Sequence, residues 1–300
     1  MDWLRRIQSL VTDPPPAHIF EVSEAGVAMA HLGPGKSPEL AFEPLPPGSI
    51  AVSPVKDNVL DADSLAAAFR KLAPPPAARK PRPAALLLPD FAVRVSVFEF
   101  DSLPKDPAER TTLIKFRMKK TVPFDLEASR LSFWPQKRSD GKLDVISAAI
   151  PLEILARYEA PLRACALHPG IVMPSSLAML RLVEDGGLTM AVRLENHSLT
   201  LLVVQDGVLR LLRCLEIGHA DPEGILSDLY PTLVYVADTF GAPPARVVLA
   251  GFGASSEPMR ALLSQETPAS VEIAHSPLGK VLGPFDAGLL GYLYGAGVAN

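Results

Sequence analysis

The chain has 300 residues, 48% of them apolar and 21% charged, enough to bury a sizeable core in one large domain or two. A net charge of −4 and a pI near 5.9 exclude the concentrated basic field that nucleic-acid binding usually needs. Of the 31 prolines, 15 fall in the first 90 residues, which excludes a coiled coil or helical solenoid there, because proline breaks helix interiors. The two cysteines, Cys165 and Cys214, are too few for a disulfide framework and lack metal-site spacing, so a reduced compartment is expected. No apolar run reaches the roughly 18–20 residues that span a bilayer, and the start has no apolar signal-peptide core. The expectation is a soluble chain that stays inside the cell.

Residues 1–16 read as a short amphipathic helix, with Trp3, Leu4, Ile7, Leu10 and Val11 against Arg5 and Arg6, stopped by Pro14. His18–Val22 and Val27–Leu32 form a predicted hairpin around a Ser23–Gly26 turn. A proline-rich irregular stretch follows to Pro54, then a helix to Leu72 with Asp63 as its N-cap. Ala73–Pro83 is the best linker candidate. Ala84–Leu88 reads as a sheet-interior strand and Ala92–Phe100 as a half-buried alternating one. Asp106, Pro107 and Glu109 are a helix-start signature: N-cap, N1 proline and acidic N3. That helix carries Lys115, Arg117, Lys119 and Lys120, read as a solvated basic face.

Strands at Leu131–Trp134 and Asp144–Ile150, a helix at Leu152–Ala166 and one opening at Ser175 or Ser176 come next. Gly186-Gly187 marks a boundary. Strands Leu188–Leu194, Leu199–Val204 and Val208–Ile217 follow, the last two joined by a hairpin turn at Gln205-Asp206-Gly207. A helix Asp221–Phe240, kinked near Pro231, leads to strand Arg246–Ala250 and then Gly251-Phe252-Gly253. A helix to about Gln265, a strand Val271–Ala274 and a closing helix Asp286–Val298 end the chain. Hairpin sheets alternating with helices, twice over, predict an α/β protein with two related halves.

Catalytic constellations are missing. The six histidines have no metal-ligand spacing, no nucleophile elbow occurs, and Ser175-Ser176 and Ser255-Ser256 are explained as helix starts.

The element order resembles the actin-like (ribonuclease H-like) ATPase fold: mixed sheets flanked by helices in two domains, with a small subdomain after the first sheet. Within it, Pro89, Val122-Pro123-Phe124, Trp134, Ala148-Ala149, Leu167-His168-Pro169 and the alanine- and glycine-rich end resemble the type IV pilus assembly protein PilM family over about residues 17–299. The resemblance implies domain I at 17–185, with an inserted subdomain at about 89–140, domain II at 186–284, and a segment 285–300 packing back on domain I.

It also locates the nucleotide motifs, where this sequence departs. In such ATPases an Asp-hydrophobic-Gly turn approaches each end of the triphosphate. Here the first aligns with Glu21-Val22-Ser23 and the second with Arg193-Leu194-Glu195, while Gly251-Phe252-Gly253 stands at the adenine side. A carboxylate facing phosphate without metal is repulsive, so Glu195 argues against ATP; Arg193 either offsets this by pairing with a phosphate or, more simply, pairs with a neighbouring carboxylate. The expectation is a degenerate site with no catalytic residue and no cofactor, ATP with Mg²⁺ being the alternative. The implied role is a cytoplasmic scaffold at the inner face of the inner membrane. It would bind the N-terminal tail of a PilN-like bitopic protein, with membrane contact only through partners and self-association left open. A working ATP switch and the cytoplasmic domain of a type II secretion platform protein are the other readings.

Overall fold

The computed structural model describes residues 16–33, 37–73, 82–183, 186–275 and 286–295. The amphipathic reading of residues 1–16 and the core of the proposed linker lie outside them, apart from their edges. Two compact units form, one drawn from residues 1–92, 153–183 and 275–300, the other from 93–152 and 184–274.

In unit 1, β1 (His18–Val22), β2 (Gly26–His31), β3 (Glu39–Pro44), β4 (Arg82–Leu88) and β8 (Leu167–Pro174) make one sheet in the order β3-β2-β1-β4-β8. The three consecutive strands are antiparallel; β1–β4 and β4–β8 are parallel. The inner strands are apolar almost throughout because both sheet faces are covered, and their side chains are fully buried from Ala84 to Leu88. Helix α1 (Ala62–Leu72) buries Leu65, Ala68, Phe69 and Leu72 on one stripe, and the Phe69 ring packs on Phe20 at 5.1 Å.

Three sequence expectations change here. The N-cap of α1 is Asp61, not Asp63: its carboxylate accepts from the Ser64 amide at 3.0 Å and the Ser64 hydroxyl at 2.6 Å. Strand β3 lies inside the stretch read as irregular; pairing with β2, not local propensity, makes it a strand. Strand β8 contains Pro169 and Gly170 and is not among the strands read from the sequence. It is an edge strand, where proline costs no ladder bond, and its register against β4 shifts at Gly170.

His18, at the start of β1, is 4% exposed. Its ring stacks on His31 at 4.8 Å, and the Arg82 guanidinium lies 3.4 Å from its Nε2. Burial, then Arg82, then His31 lower its pKa from 6.5 to about 4. The unfolded chain therefore binds a proton that the folded chain refuses. Stability from this residue is complete above pH 6.5 and declines as pH falls toward 4, by on the order of 3 kcal/mol. Chemical denaturation at pH 7 and pH 4.5 should show this decline in the native chain and a shallower one in His18→Phe. Equal slopes would refute it.

Unit 2 holds β9 (Leu188–Glu195), β10 (Ser198–Gln205), β11 (Val208–Glu216), β12 (Arg246–Ala250) and β13 (Ser270–Ile273), ordered β11-β10-β9-β12-β13. Again three antiparallel strands are followed by two parallel ones. Asp206 (φ 50°) and Gly207 (φ 76°) give the hairpin turn its two positive φ values. Helix α5 (Pro222–Phe240) is capped by Asp221, runs through Pro231 and ends at Gly241 in the left-handed conformation. Helix α6 (Ser256–Glu266) connects β12 to β13.

Between β4 and β8 the chain inserts β5 (Arg94–Phe100), α2 (Pro107–Met118), β6 (Ser129–Lys137) and β7 (Leu143–Pro151), a three-stranded sheet ordered β5-β7-β6, then α3 (Leu152–Ala164). The start of α2 is as the sequence predicts, with the Asp106 carboxylate accepting from the Glu109 amide at 2.9 Å. This sheet anchors on β11. The Gln136 amide donates to the Leu209 carbonyl and accepts from the Leu209 N–H, both at 3.0 Å, in place of a neighbouring strand. Beside it Arg210 is the extra residue of a β-bulge, which aims its Nε at the buried Asp144 carboxylate, 2.8 Å away. Among the described residues, no helix is long and apolar enough to cross a membrane.

Candidate functional site

The turn β1–β2 is closed by its own residues. The Ser23 amide donates to the Gly26 carbonyl at 2.9 Å, the Ser23 hydroxyl donates to the same oxygen at 3.1 Å, and Ser23 is 1% exposed. Across the turn, Glu24 accepts from the Val52 amide at 3.2 Å.

Two residues before Ser23, Glu21 is fully buried on β1 between Ala28 and Leu87. Its carboxylate accepts from the Ser175 hydroxyl at the start of α4 (Ser175–Met179) and, at 2.6 Å, from the Leu289 amide in the first turn of α7 (Ala287–Gly295). That amide is one of the four donors a helix start leaves unpaired, and an anion there is favoured by the helix dipole. Asp90, 2% exposed, does the same for α4, accepting from the Ser176 amide at 2.8 Å.

Unit 1 thus meets two helix starts with its own carboxylates. A phosphate arriving at either would displace an anion from its donors or sit beside it, and each costs energy at low dielectric.

Small residues permit this closeness. A side chain at Gly288 would lie 2.8 Å from the Ser175 carbonyl and 3.0 Å from the Glu21 carboxylate, and one at Gly291 would lie 2.7 Å from Met179 Cα. Leu289, Tyr292 and Leu293 pack with Ile19, Leu87 and Ala178.

In unit 2 the equivalent turn follows β9. Arg193 is fully buried and Glu195 is 5% exposed; two apart on one strand, they share a face, and their charged groups meet at 3.3 Å. Arg193 pairs in register with Ala250, the residue before Gly251. Gly251 (φ 80°) and Gly253 (φ 53°) are both left-handed, which turns the chain from β12 into α6, while Phe252 between them is buried in the core of the unit.

The structure therefore gathers Arg193, Glu195 and the glycine turn on neighbouring strands of unit 2, and Glu21 and Ser23 on one strand and turn of unit 1. The sequence reading did not identify Asp90, Ser175 or the Leu289 amide as partners. The spacing of Gly288 and Gly291 in an otherwise apolar helix was the available signal for close packing. Among the described residues, no cluster of three or more His, Cys, Asp or Glu could hold a metal ion.

Sheet order decides the architecture. Two five-stranded sheets carry one topology, hairpin strands followed by two parallel strands, each with a helix crossing between the third and fourth strands. The chain has the actin-like ATPase fold.

No protein-family model matches the chain, and no curated protein matches it. Solved structures do. A chain of the PilM–PilN type IV pilus biogenesis complex superposes with a TM-score of 0.71 at 20% identity, covering 96% of this chain and 100% of that one. A protein from Bacteroides thetaiotaomicron with an actin-like ATPase fold and unknown function gives 0.56 at 12% identity, covering 93% and 97%. Against an actin-like frame, the residues at the first expected phosphate turn are committed to internal contacts, and those at the second form a buried ion pair.

Proposed function

We propose that this chain is a scaffold of a type IV pilus or related secretion assembly that has given up ATP hydrolysis and binds the tail of a PilN-like inner-membrane partner. The observation that carries the first part is Glu21, whose carboxylate is engaged by the Ser175 hydroxyl and the Leu289 amide where an actin-like ATPase needs a carboxylate free to organise Mg²⁺ and water. The Arg193–Glu195 pair supports it from the second unit, since a buried carboxylate at the turn repels phosphate while its partner cation is held by it. The likeness to a chain of the PilM–PilN complex supports the partner class. A location at the inner face of the inner membrane follows from that partner.

Titration with a fluorescent ATP analogue and Mg²⁺ tests the reading, together with thermal unfolding in saturating Mg-ATP. No saturable binding and no rise in Tm are expected, because a ligand raises stability only by binding the folded state. Micromolar binding lost in Gly251→Val would favour the ATP-switch reading. The partner is tested by titrating the cytoplasmic tails of bitopic inner-membrane proteins encoded beside this one; absence of affinity for all of them counts against it.

A further inference from the structure

The inserted segment and the second five-stranded sheet both belong to unit 2, yet each has a core of its own. In the insert, Met118 and Leu126 pack on Ala149 of β7, with Phe98, Phe124 and Leu131 around them. The core of the second sheet gathers Met190, Val192, Leu201 and Leu249 with Ile225 and Leu229 of α5. Among the described residues, the two clusters share no member. A separate core lets a piece of chain keep its fold while a contact beside it opens.

The two are joined by a polar seam on the other face of the insert's sheet. Side chains alternate along a strand and paired residues share a face, so Asp144 and Ile146 of β7 lie with Val95 and Val97 of β5 and with Trp134 and Gln136 of β6. This face meets β11. Gln136 clamps both backbone groups of Leu209, and its paired neighbour Asp144 is held by Arg210 at 2.8 Å and by Arg138 at 3.8 Å. Arg210 is itself placed by the Phe240 ring, whose centroid lies 5.1 Å from its guanidinium carbon, and by the Gln205 side chain. The apolar residues beside this row are not closed over: Val95, Val97 and Trp134 stay partly exposed, while Ile146 is buried. Apolar packing therefore holds the α2 face of the sheet, and two hydrogen bonds and an ion pair hold the other. Net stability from a buried ion pair is small, because each ion gives up its water on docking.

We propose that the insert is a hinged module that undocks from β11 with both cores still folded, and that the Gln136 clamp and the Asp144–Arg210 pair are the latch that holds it closed. Opening frees the N–H and C=O of Leu209 and uncovers the face carrying Val95, Val97, Trp134 and Ile146. The chain enters the insert after Ala92 and leaves it before Glu153, so the motion asks for adjustment at only two connections. This device goes beyond the scaffold reading and does not depend on it.

The Leu209 amide reports the latch directly, since it donates to the Gln136 side chain. Hydrogen exchange followed residue by residue by NMR on the full chain, with added urea, tests the proposal. The Leu209 amide should exchange at least about tenfold faster than the amides of β7 and β9, and with a shallower urea dependence, because those wait for a core to unfold. Asp144→Asn should speed Leu209 exchange by about a further tenfold and leave the β9 amides and those of β7 beyond the altered residue within about twofold. In a Trp3→Phe background, where Trp134 is the only tryptophan, Gln136→Leu should move its emission to the red and raise its quenching by acrylamide. Leu209 exchange that matches the β7 and β9 amides in rate and urea dependence overturns the proposal, since insert and sheet would then open only together. So does an unchanged Trp134 signal in Gln136→Leu. A rise in Asp144→Asn that is equal at Leu209 and along β7 also overturns it, because the pair would then support only the insert's own fold.

Discussion

Replacing Glu21 with alanine should destabilise the chain by about 3–5 kcal/mol, and replacing it with glutamine by only about 1 kcal/mol. Alanine strips the acceptor from two buried donors, the Ser175 hydroxyl and the Leu289 amide, and leaves a void under the start of α7. Glutamine keeps an oxygen for the Leu289 amide and offers its NH₂ to Ser175, whose hydroxyl can rotate to accept. What glutamine loses is charge, and with it the dipole interaction and part of the strength of both hydrogen bonds. Urea unfolding of the three proteins, followed by circular dichroism, checks the order. Equal stability for Glu21→Ala and wild type would show that the carboxylate is no structural cap. The reading of this residue as a lapsed phosphate-turn position would then lose its basis.

Gly291→Ala should lower stability by about 2–4 kcal/mol, although alanine is the better helix former by about 1 kcal/mol. The new methyl would press on backbone atoms, the Ala178 carbonyl and Met179 Cα, the latter 2.7 Å away. Backbone in a packed helix cannot swing aside as a side chain does. Helix α7 must lift off α4, exposing part of Leu289 and Leu293, each worth about 1.5–3 kcal/mol when fully buried. Gly295→Ala is the control. There the methyl meets only the Arg181 side chain, its Cγ 2.9 Å away, which can move, so the change should be within about 0.5 kcal/mol of wild type. Hydrogen exchange of α7 amides should rise in Gly291→Ala and not in Gly295→Ala. Comparable effects from both would mean that helix packing is not set by the glycine contact.

Local rules were legible wherever a few neighbouring residues decide the outcome. Asp106-Pro107 starts a helix, Asp206-Gly207 turns a hairpin, and Ala84–Leu88 is a buried strand because its own side chains leave little alternative. The order of those elements was enough for the fold class. Elements whose form is imposed by a neighbour were not legible: β3 and β8 are strands because β2 and β4 pair with them, against their proline and glycine content.

The same division holds at the candidate site. The sequence by itself determined that acid, serine and arginine stand at the phosphate-turn positions where the fold resemblance expects other residues. Only tertiary structure decided what they do there. Glu21 meets a helix start 268 residues away in the chain, and no pattern in the intervening sequence encodes which donor a buried carboxylate will find. The physical reason is that burying a charge demands partners. Those partners are brought by the packing of distant elements, β1 against α4 and α7, and not by the residues beside it.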